Sequence, residues 1–468
     1  MRTFFRGKRA HEAGAEEKLP AVIWHEERES EPNKKRILIL TLSNLALQVL
    51  WFFYRMMLSR LAGTEVLGLQ SLVMQVYSIM VSVCISGLNV AVMTVGARIW
   101  SNGGQSGGIR RLFKNALVLF LLLFTAMAAP LFIWRKRIAS GLIGDPGAAL
   151  AVAIVLGCIF LTGIENILKS VHLATGRVGK TACSELMEQS IRFLLVFLLL
   201  RKTSVDTDHG QVALILFGML LSEFFSVSFL FHSYKKHYRF RGNPDAVNEA
   251  SLSRLAGILA PAALTSVVST VFASAAALLL PGRLMLAGYT RQAALASIGT
   301  LNAVAVPLVT FPTAFIGAVA TVLLPSVSTA ALNNDFKRIK RILSRSFTAA
   351  ALALLTANML LMHFSAPISG ALFGVVPSRL CFLLLTAKAG IIYFQMLTTA
   401  ALNGLMKQRI VLAFALIGEL LQLVLIYLLS ALSAVHIYGY LAAMCIGEGA
   451  RLAVSLLYLK HFFRNSGV

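Results

Sequence analysis

The sequence predicts an all-α integral membrane protein of about twelve transmembrane helices, arranged as two six-helix bundles around a central cavity. Three observations lead there. Of 468 residues, 57% are hydrophobic and only 13% charged, the mean hydropathy is +0.76, and the apolar residues fall in runs of about twenty, the length that crosses a hydrocarbon core of roughly 30 Å. The long polar stretch 234–252 divides those runs six and six. Six is even, so both halves enter from the same side, which makes them parallel repeats related by a pseudo-two-fold axis along the membrane normal. Finally, the hairpin VHLATGRVGKTACSELMEQSIRFLLVFLLL (171–200) is echoed by AALNGLMKQRIVLAFALIGELLQLVLIYLL (400–429). Each has a glycine, a basic turn and then a carboxylate submerged in the next apolar helix, Glu188 in one and Glu419 in the other.

Taken in order, residues 1–36 read as a polar cytoplasmic tail with no apolar core of signal-peptide length. The spans then run over 37–59, 67–93, 113–134, 148–173, 182–200, 211–233, 255–280, 292–325, 346–363, 380–403, 409–431 and 436–459. At 1.5 Å per residue the eighth is about 50 Å long, too much for one straight crossing, and Pro307 and Pro312 are where it is expected to bend. The units are therefore 37–233 (N-terminal bundle), 234–252 (cytoplasmic linker), 253–460 (C-terminal bundle) and 461–468 (cytoplasmic tail). Basic residues concentrate in the loops that follow even-numbered spans, which puts both termini in the cytoplasm; the RKR at 135–137 is a local exception. The net charge of +23 lies between the apolar runs, so it reads as membrane orientation rather than nucleic-acid binding. The five cysteines sit within apolar runs and form no CxxC pair. They read as small packing residues, and no metal or cofactor is expected.

Ionisable groups inside spans point to function, because each costs roughly 2.5 to 3.5 kcal/mol at the centre of a lipid-exposed helix and so faces protein or water. Glu188 and Arg192 are spaced i, i+4, and Glu448 and Arg451 i, i+3, so each pair shares a helix face and can neutralise itself. Arg55, in WFFYRMMLSR, has no acid within reach on its own helix; it either snorkels or faces a cavity, where it could hold a phosphate bidentately. Glu223 and Glu419 are mid-span carboxylates that could carry a coupling proton or sodium ion, or pair with Arg192 or Lys388 across the bundle. Lys169, a turn from a helix end, reads as a snorkelling anchor. The expected substrate contacts are Arg55, Arg192, Lys388 and Arg451, with Glu188, Glu223, Glu419 and Glu448 as coupling groups or structural ion pairs. No P-loop, HExxH or Ser/His/Asp pattern occurs, which argues against an ATP-driven pump or protease and leaves no expected catalytic residue.

These landmarks resemble the polysaccharide-transporter branch of the multidrug/oligosaccharidyl-lipid/polysaccharide flippase superfamily, in particular the stage V sporulation protein B group. The resemblance covers residues 37–460 and is carried by FFYRMMLSRLAGTEVLGLQSLVMQVYSI (52–79), SGLNVAV, ELMEQSIRF (185–193), PLVTFPTAFIGAVATVLLPSVS (307–328), and ALNGLMKQ followed by HIYGYLAA. It implies a bacterial plasma-membrane exporter, not an enzyme, that flips a lipid-linked saccharide such as an undecaprenyl-diphosphate sugar by alternating access. It also implies that an arginine of the first helix, here Arg55 with Arg60 further out, lines the cavity, and that Glu188, Gln189 and Arg192 are the fifth-helix signature. Two features depart from the family: Asn89 stands where proline is usual, and there are twelve spans where many members have fourteen.

Three other functions stay open at this point. A cation-coupled drug or metabolite antiporter of the same superfamily would use the mid-span acids. A non-transporting scaffold in envelope or spore assembly would use neither acids nor cavity. A membrane glycan polymerase is disfavoured, since the outer loop HFSAPISGALFGVVPSR (363–379) has no carboxylate or histidine constellation for glycosyl transfer.

Overall fold

A computed structural model describes residues 32–101, 106–203, 205, 207–238, 251–310, 323, 327, 330–331, 335–405 and 407–465. The tail over 1–31, the linker over 239–250 and Pro312 lie outside them. All regular elements among the described residues are helical. They are α1 (Pro32–Val81), α2 (Gly87–Ser101), α3 (Ser106–Ile133), α4 (Ala149–Ala174), α5 (Val178–Lys202), α6 (Asp208–His237), α7 (Leu252–Leu286), α8 (Arg291–Gly299), α9 (Val306–Thr310), α10 (Phe336–Phe373), α11 (Arg379–Gly404), α12 (Gln408–Leu429) and α13 (His436–Asn465). Nine helical runs among these residues are long and apolar enough to cross a membrane. α5 is absent from that set because Glu185, Glu188 and Arg192 interrupt its apolar character.

The first two spans differ from the sequence expectation. No loop separates them; the helix reverses at one residue, Gly63, with φ +80° and ψ 170°. A side chain would be strained in that conformation, and glycine is the residue that adopts it freely. The second crossing then continues through a wide π-type turn at Ser82–Ser86 into α2. The eighth span carries a similar wide turn, Thr300–Ala305, between α8 and α9. It lies directly before Pro307, whose ring removes one N–H from the helical ladder and so favours a local change of pitch. α10 extends well past the expected 346–363 at both ends. Asp335 caps its start by accepting from the Arg338 N–H at 2.9 Å, and Gly374, left-handed at φ +75°, ends it.

Two bundles result. One core cluster is drawn mainly from α1 to α6, through residues such as Leu58, Leu72, Phe120, Val155 and Leu216. The other half is cored by two clusters from α7 to α13, including Leu280, Phe382, Tyr393 and Leu441, and Ile339, Leu397 and Leu402. At the Gly63 end the halves meet at very short range. A Cβ on Gly68 would fall 2.0 Å from the Leu295 carbonyl oxygen, and one on Gly299 would fall 1.7 Å from that of Thr64. Each glycine thus admits the other half's backbone, the arrangement that small residues permit between membrane helices.

Candidate functional site

The echoed hairpins have the same backbone closure. Arg177 N–H reaches His172 O at 2.8 Å after α4, and Lys407 N–H reaches Leu402 O at 2.9 Å after α11. In the first, Gly176 supplies the left-handed residue, at φ +74°, that lets the final carbonyls be capped. The turn joins α4 to α5, and both helices pack along α6, so that their charged side chains meet.

At that meeting Lys169 of α4 lies 3.0 Å from Glu165 one turn earlier, 3.4 Å from Glu185 and 3.7 Å from Glu188 of α5. Glu188 in turn accepts from Arg192, and Arg192 lies 3.7 Å from Glu223 of α6. Arg192 Nε also donates to Ser222 Oγ at 3.2 Å, while Ser226 donates to Glu165. Lys169, Glu188, Arg192 and Glu223 therefore form one continuous chain of alternating charge across three helices. Glu165, Glu188 and Glu223 are 3%, 7% and 1% exposed, so these ion pairs sit where solvent screens them little.

The chain forms one wall of a cavity of about 600 Å³, completed by Trp51, Tyr54, Arg55, Gln70, Tyr77, Asn166 and Gln189 among others. Tyr77 Oη is 3.0 Å from Thr162 Oγ1, and Asn166 is held by Asn89, which donates to its Oδ1 at 3.2 Å. Asn89 also accepts from Ser170 Oγ at 3.2 Å. Asn89 thus ties the second span to α4.

Arg55 differs from the other cations. Its guanidinium lies 5.1 Å from the centre of the Trp51 ring, and its buried Nε has no hydrogen-bond partner. Among the described residues no carboxylate lies within 4.0 Å of it, whereas Lys169 and Arg192 each have at least two.

Of the residues singled out from sequence, Arg55, Lys169, Glu188, Gln189, Arg192 and Glu223 converge on this cavity. Lys388, Glu419, Glu448 and Arg451 are not among its lining residues. They lie on α11, α12 and α13. Lys388 Nζ contacts Met444 Sδ at 3.3 Å, Arg451 lies 3.8 Å from Glu448, and Glu419 Oε2 is buried without a partner. Lys169 is not a snorkelling anchor; three carboxylates hold it inside the bundle. Its spacing from Glu165 was the available signal, since residues i and i+4 share a face. Tyr54, Gln70, Tyr77 and Asn166 also line the cavity without having been singled out.

No family model matches the chain. Its sequence is similar to stage V sporulation protein B of Bacillus subtilis (strain 168), 22% identical over 439 residues that make up 91% of this chain and 82% of that protein. It is also similar to sporulation protein YkvU of the same organism, 22% identical over 229 residues, 47% of this chain and 50% of that one. The fold is similar to that of a multidrug resistance MATE family transporter of the MOP superfamily in an inward-facing conformation, with a TM-score of 0.72, 16% identity, and coverage of 92% of this chain and 99% of the other. A MOP superfamily transporter from Pyrococcus furiosus Vc1 (DSM3638), described as having reverse polarity in its binding pocket, gives a TM-score of 0.62 at 16% identity, covering 93% and 97%. The resemblance to the MOP superfamily read from the sequence thus has support at both levels, and the fold is the twelve-helix, two-bundle fold of MATE transporters.

Proposed function

We propose that this chain is an alternating-access flippase that carries a lipid-linked saccharide of the undecaprenyl-diphosphate type across the bacterial plasma membrane, with Arg55 receiving the diphosphate. The observation that carries this reading is the uncompensated guanidinium of Arg55 on the wall of a cavity whose other cations are already neutralised. A guanidinium presents paired donors that match phosphate oxygens, and the Trp51 ring beside it favours the cation's position without competing for those donors. A volume of about 600 Å³ falls in the usual range for small-molecule sites, enough for a sugar diphosphate headgroup while the polyprenyl chain stays in lipid. The similarity to a sporulation protein over nine-tenths of the chain supports an envelope precursor as cargo. With both termini cytoplasmic, the Gly63 end faces outward and the headgroup loads from the cytoplasmic side. Rocking of the two halves then exposes the cavity to the other face.

Arg55→Ala is expected to abolish complementation of a flippase-depleted strain at unchanged membrane abundance. Normal growth of the variant would overturn the assignment, and the lipid-linked intermediate that accumulates in the cytoplasmic leaflet on depletion identifies the sugar. A second reading, a cation-coupled drug or metabolite antiporter, is favoured by the four carboxylates of the cavity, Glu165, Glu185, Glu188 and Glu223, against its three cations. Efflux of cationic dyes that is lost in Glu223→Gln or Glu419→Gln, with cell-wall precursors unaffected, would select it.

A further inference from the structure

The last turn of α10 is capped by the other half of the molecule. A helix leaves its final four carbonyls without an internal partner, and here each has a donor. Gly370 O takes the Gly374 N–H at 3.1 Å. Ala371 O and Leu372 O both accept from the Arg60 guanidinium, the latter from Nε at 2.7 Å. Phe373 O accepts from Ser59 Oγ at 3.0 Å. Three of the four donors thus come from α1, more than three hundred positions away in the chain. The cation is also set against the negative end of the α10 dipole, the arrangement that helix electrostatics favours. Arg60 is exposed to solvent while Ser59 is buried, and below them Phe52 and Phe373 meet edge to face at 5.5 Å.

The same end has a second seam between the halves, of a different kind. There Gly68 and Gly299 bring backbones into contact, flanked by Gln292 donating to Glu65 at 2.8 Å and by Arg291 at 3.2 Å from Asp145. Close backbone packing resists separation, because nothing refills the gap. The α10 carbonyls, by contrast, lie at the solvent-exposed end of a helix, where water can take over from Arg60.

We propose that Ser59 and Arg60 form a releasable clasp, a C-terminal helix cap supplied in trans, that holds the Gly63 end shut and is the seam that parts when this end opens. The proposal rests on the alternating-access reading only in requiring that this end open at all, and its test needs no cargo. In a background with the five native cysteines replaced, nitroxide labels at Lys136→Cys and Val376→Cys, both solvent-exposed and one on each half, report the separation of the halves at this end by pulsed electron resonance in lipid nanodiscs.

Arg60→Ala is expected to raise the long-distance population by about tenfold or more, the scale of losing hydrogen bonds from a charged donor. Arg60→Lys, which keeps the charge but not the fork, is expected to fall between it and the parent. Arg135→Ala removes an equal charge whose bond, to Phe132 O at 2.9 Å, stays within one half, and is expected to leave the distances unchanged. If Arg60→Ala does not yield folded protein, Ser59→Ala, which removes a single bond, is expected to give a smaller shift in the same direction. Unchanged distances in the Arg60 and Ser59 variants, or an equal shift in Arg135→Ala, would overturn the clasp. Because the labels are read without substrate, a chain that fails the growth test for Arg55 can still pass or fail this one.

Discussion

The two halves begin alike and finish differently. Both have the same hairpin, closed by the same hydrogen bond from the N–H of Arg177 or Lys407 to a carbonyl five residues back, and both place a glutamate inside the helix that follows. In the N-terminal half Glu188 joins a chain from Lys169 to Glu223 along the wall of a cavity. In the C-terminal half, among the described residues, Glu419 forms no ion pair within 4.0 Å, Lys388 rests against a thioether, and Arg451 pairs with Glu448 alone. The difference arises from the neighbouring helices. α4 carries Glu165 and Lys169 one turn apart, on the face turned to α5, while α11 has Arg379 at its first residue, Lys388 alone within the span, and no acid. A charge becomes part of a network only when the adjacent helix presents its complement at the same depth.

The most forceful way to break this contrast is to remove the central cation of each half. Arg192→Met leaves Glu188 and Glu223 without their shared partner, and breaking a buried ion pair from one side costs about 3 to 5 kcal/mol. Arg451→Met opens a single long, partly exposed pair and should cost about 1 kcal/mol or less. Thermal unfolding in detergent, followed by loss of the monodisperse peak on gel filtration, measures both. Equal losses would mean that the network in the first half is no more cohesive than the scattered charges of the second.

What the sequence disclosed, and what it did not, follows the same division. Glu188 with Arg192 was legible because i, i+4 spacing fixes a shared face whatever the surrounding bundle does. Lys169 has that relation to Glu165, but its nearness to the end of α4 suggested solvent, and only the packing of α5 against it reveals three carboxylates. Lys388 was expected at a central cavity and is absent from its lining. α11 is apolar on nearly every side, so no amphipathic stripe fixes its rotation about its own axis, and the direction of a lone lysine on it cannot be read from periodicity. Gly63 went unread for another reason: hydropathy marks a break over 60–66 but cannot tell a connecting loop from a helix that reverses at one residue.

A smaller effect is expected at the glycine crossings, where the contrast lies in what moves rather than in how much. Gly299→Ala drives a methyl into the Thr64 carbonyl across the two halves, and overpacking of this kind costs about 1 to 3 kcal/mol. Gly447→Ala meets Gln422 of α12, at 2.6 Å, within one half, and should cost about the same. Only the first is expected to lengthen distances between halves at the Gly63 end, as read with the Lys136→Cys and Val376→Cys labels. A shift of similar size from Gly447→Ala would show that the C-terminal helices do not move as a body.

The smallest expected change is the one that bears most directly on where cargo sits. Lys388 has no carboxylate within 4.0 Å among the described residues, and its amine contacts the sulfur of Met444, so its charge is desolvated with little Coulombic return. Exchange of such a group for an apolar one of similar length is close to neutral and can stabilise, and Lys388→Met should therefore change stability by less than about 1 kcal/mol. If the anionic headgroup is received within the N-terminal half, this variant supports growth of the flippase-depleted strain as well as the parent while Arg55→Ala does not. If Lys388→Met instead abolishes growth at normal abundance and stability, the second half contributes a cation in a conformation other than this one, and cargo passes between Arg55 and Lys388 as the halves rock. The two outcomes divide a site confined to one bundle from a site shared by both, the same distinction that the unequal charge networks draw.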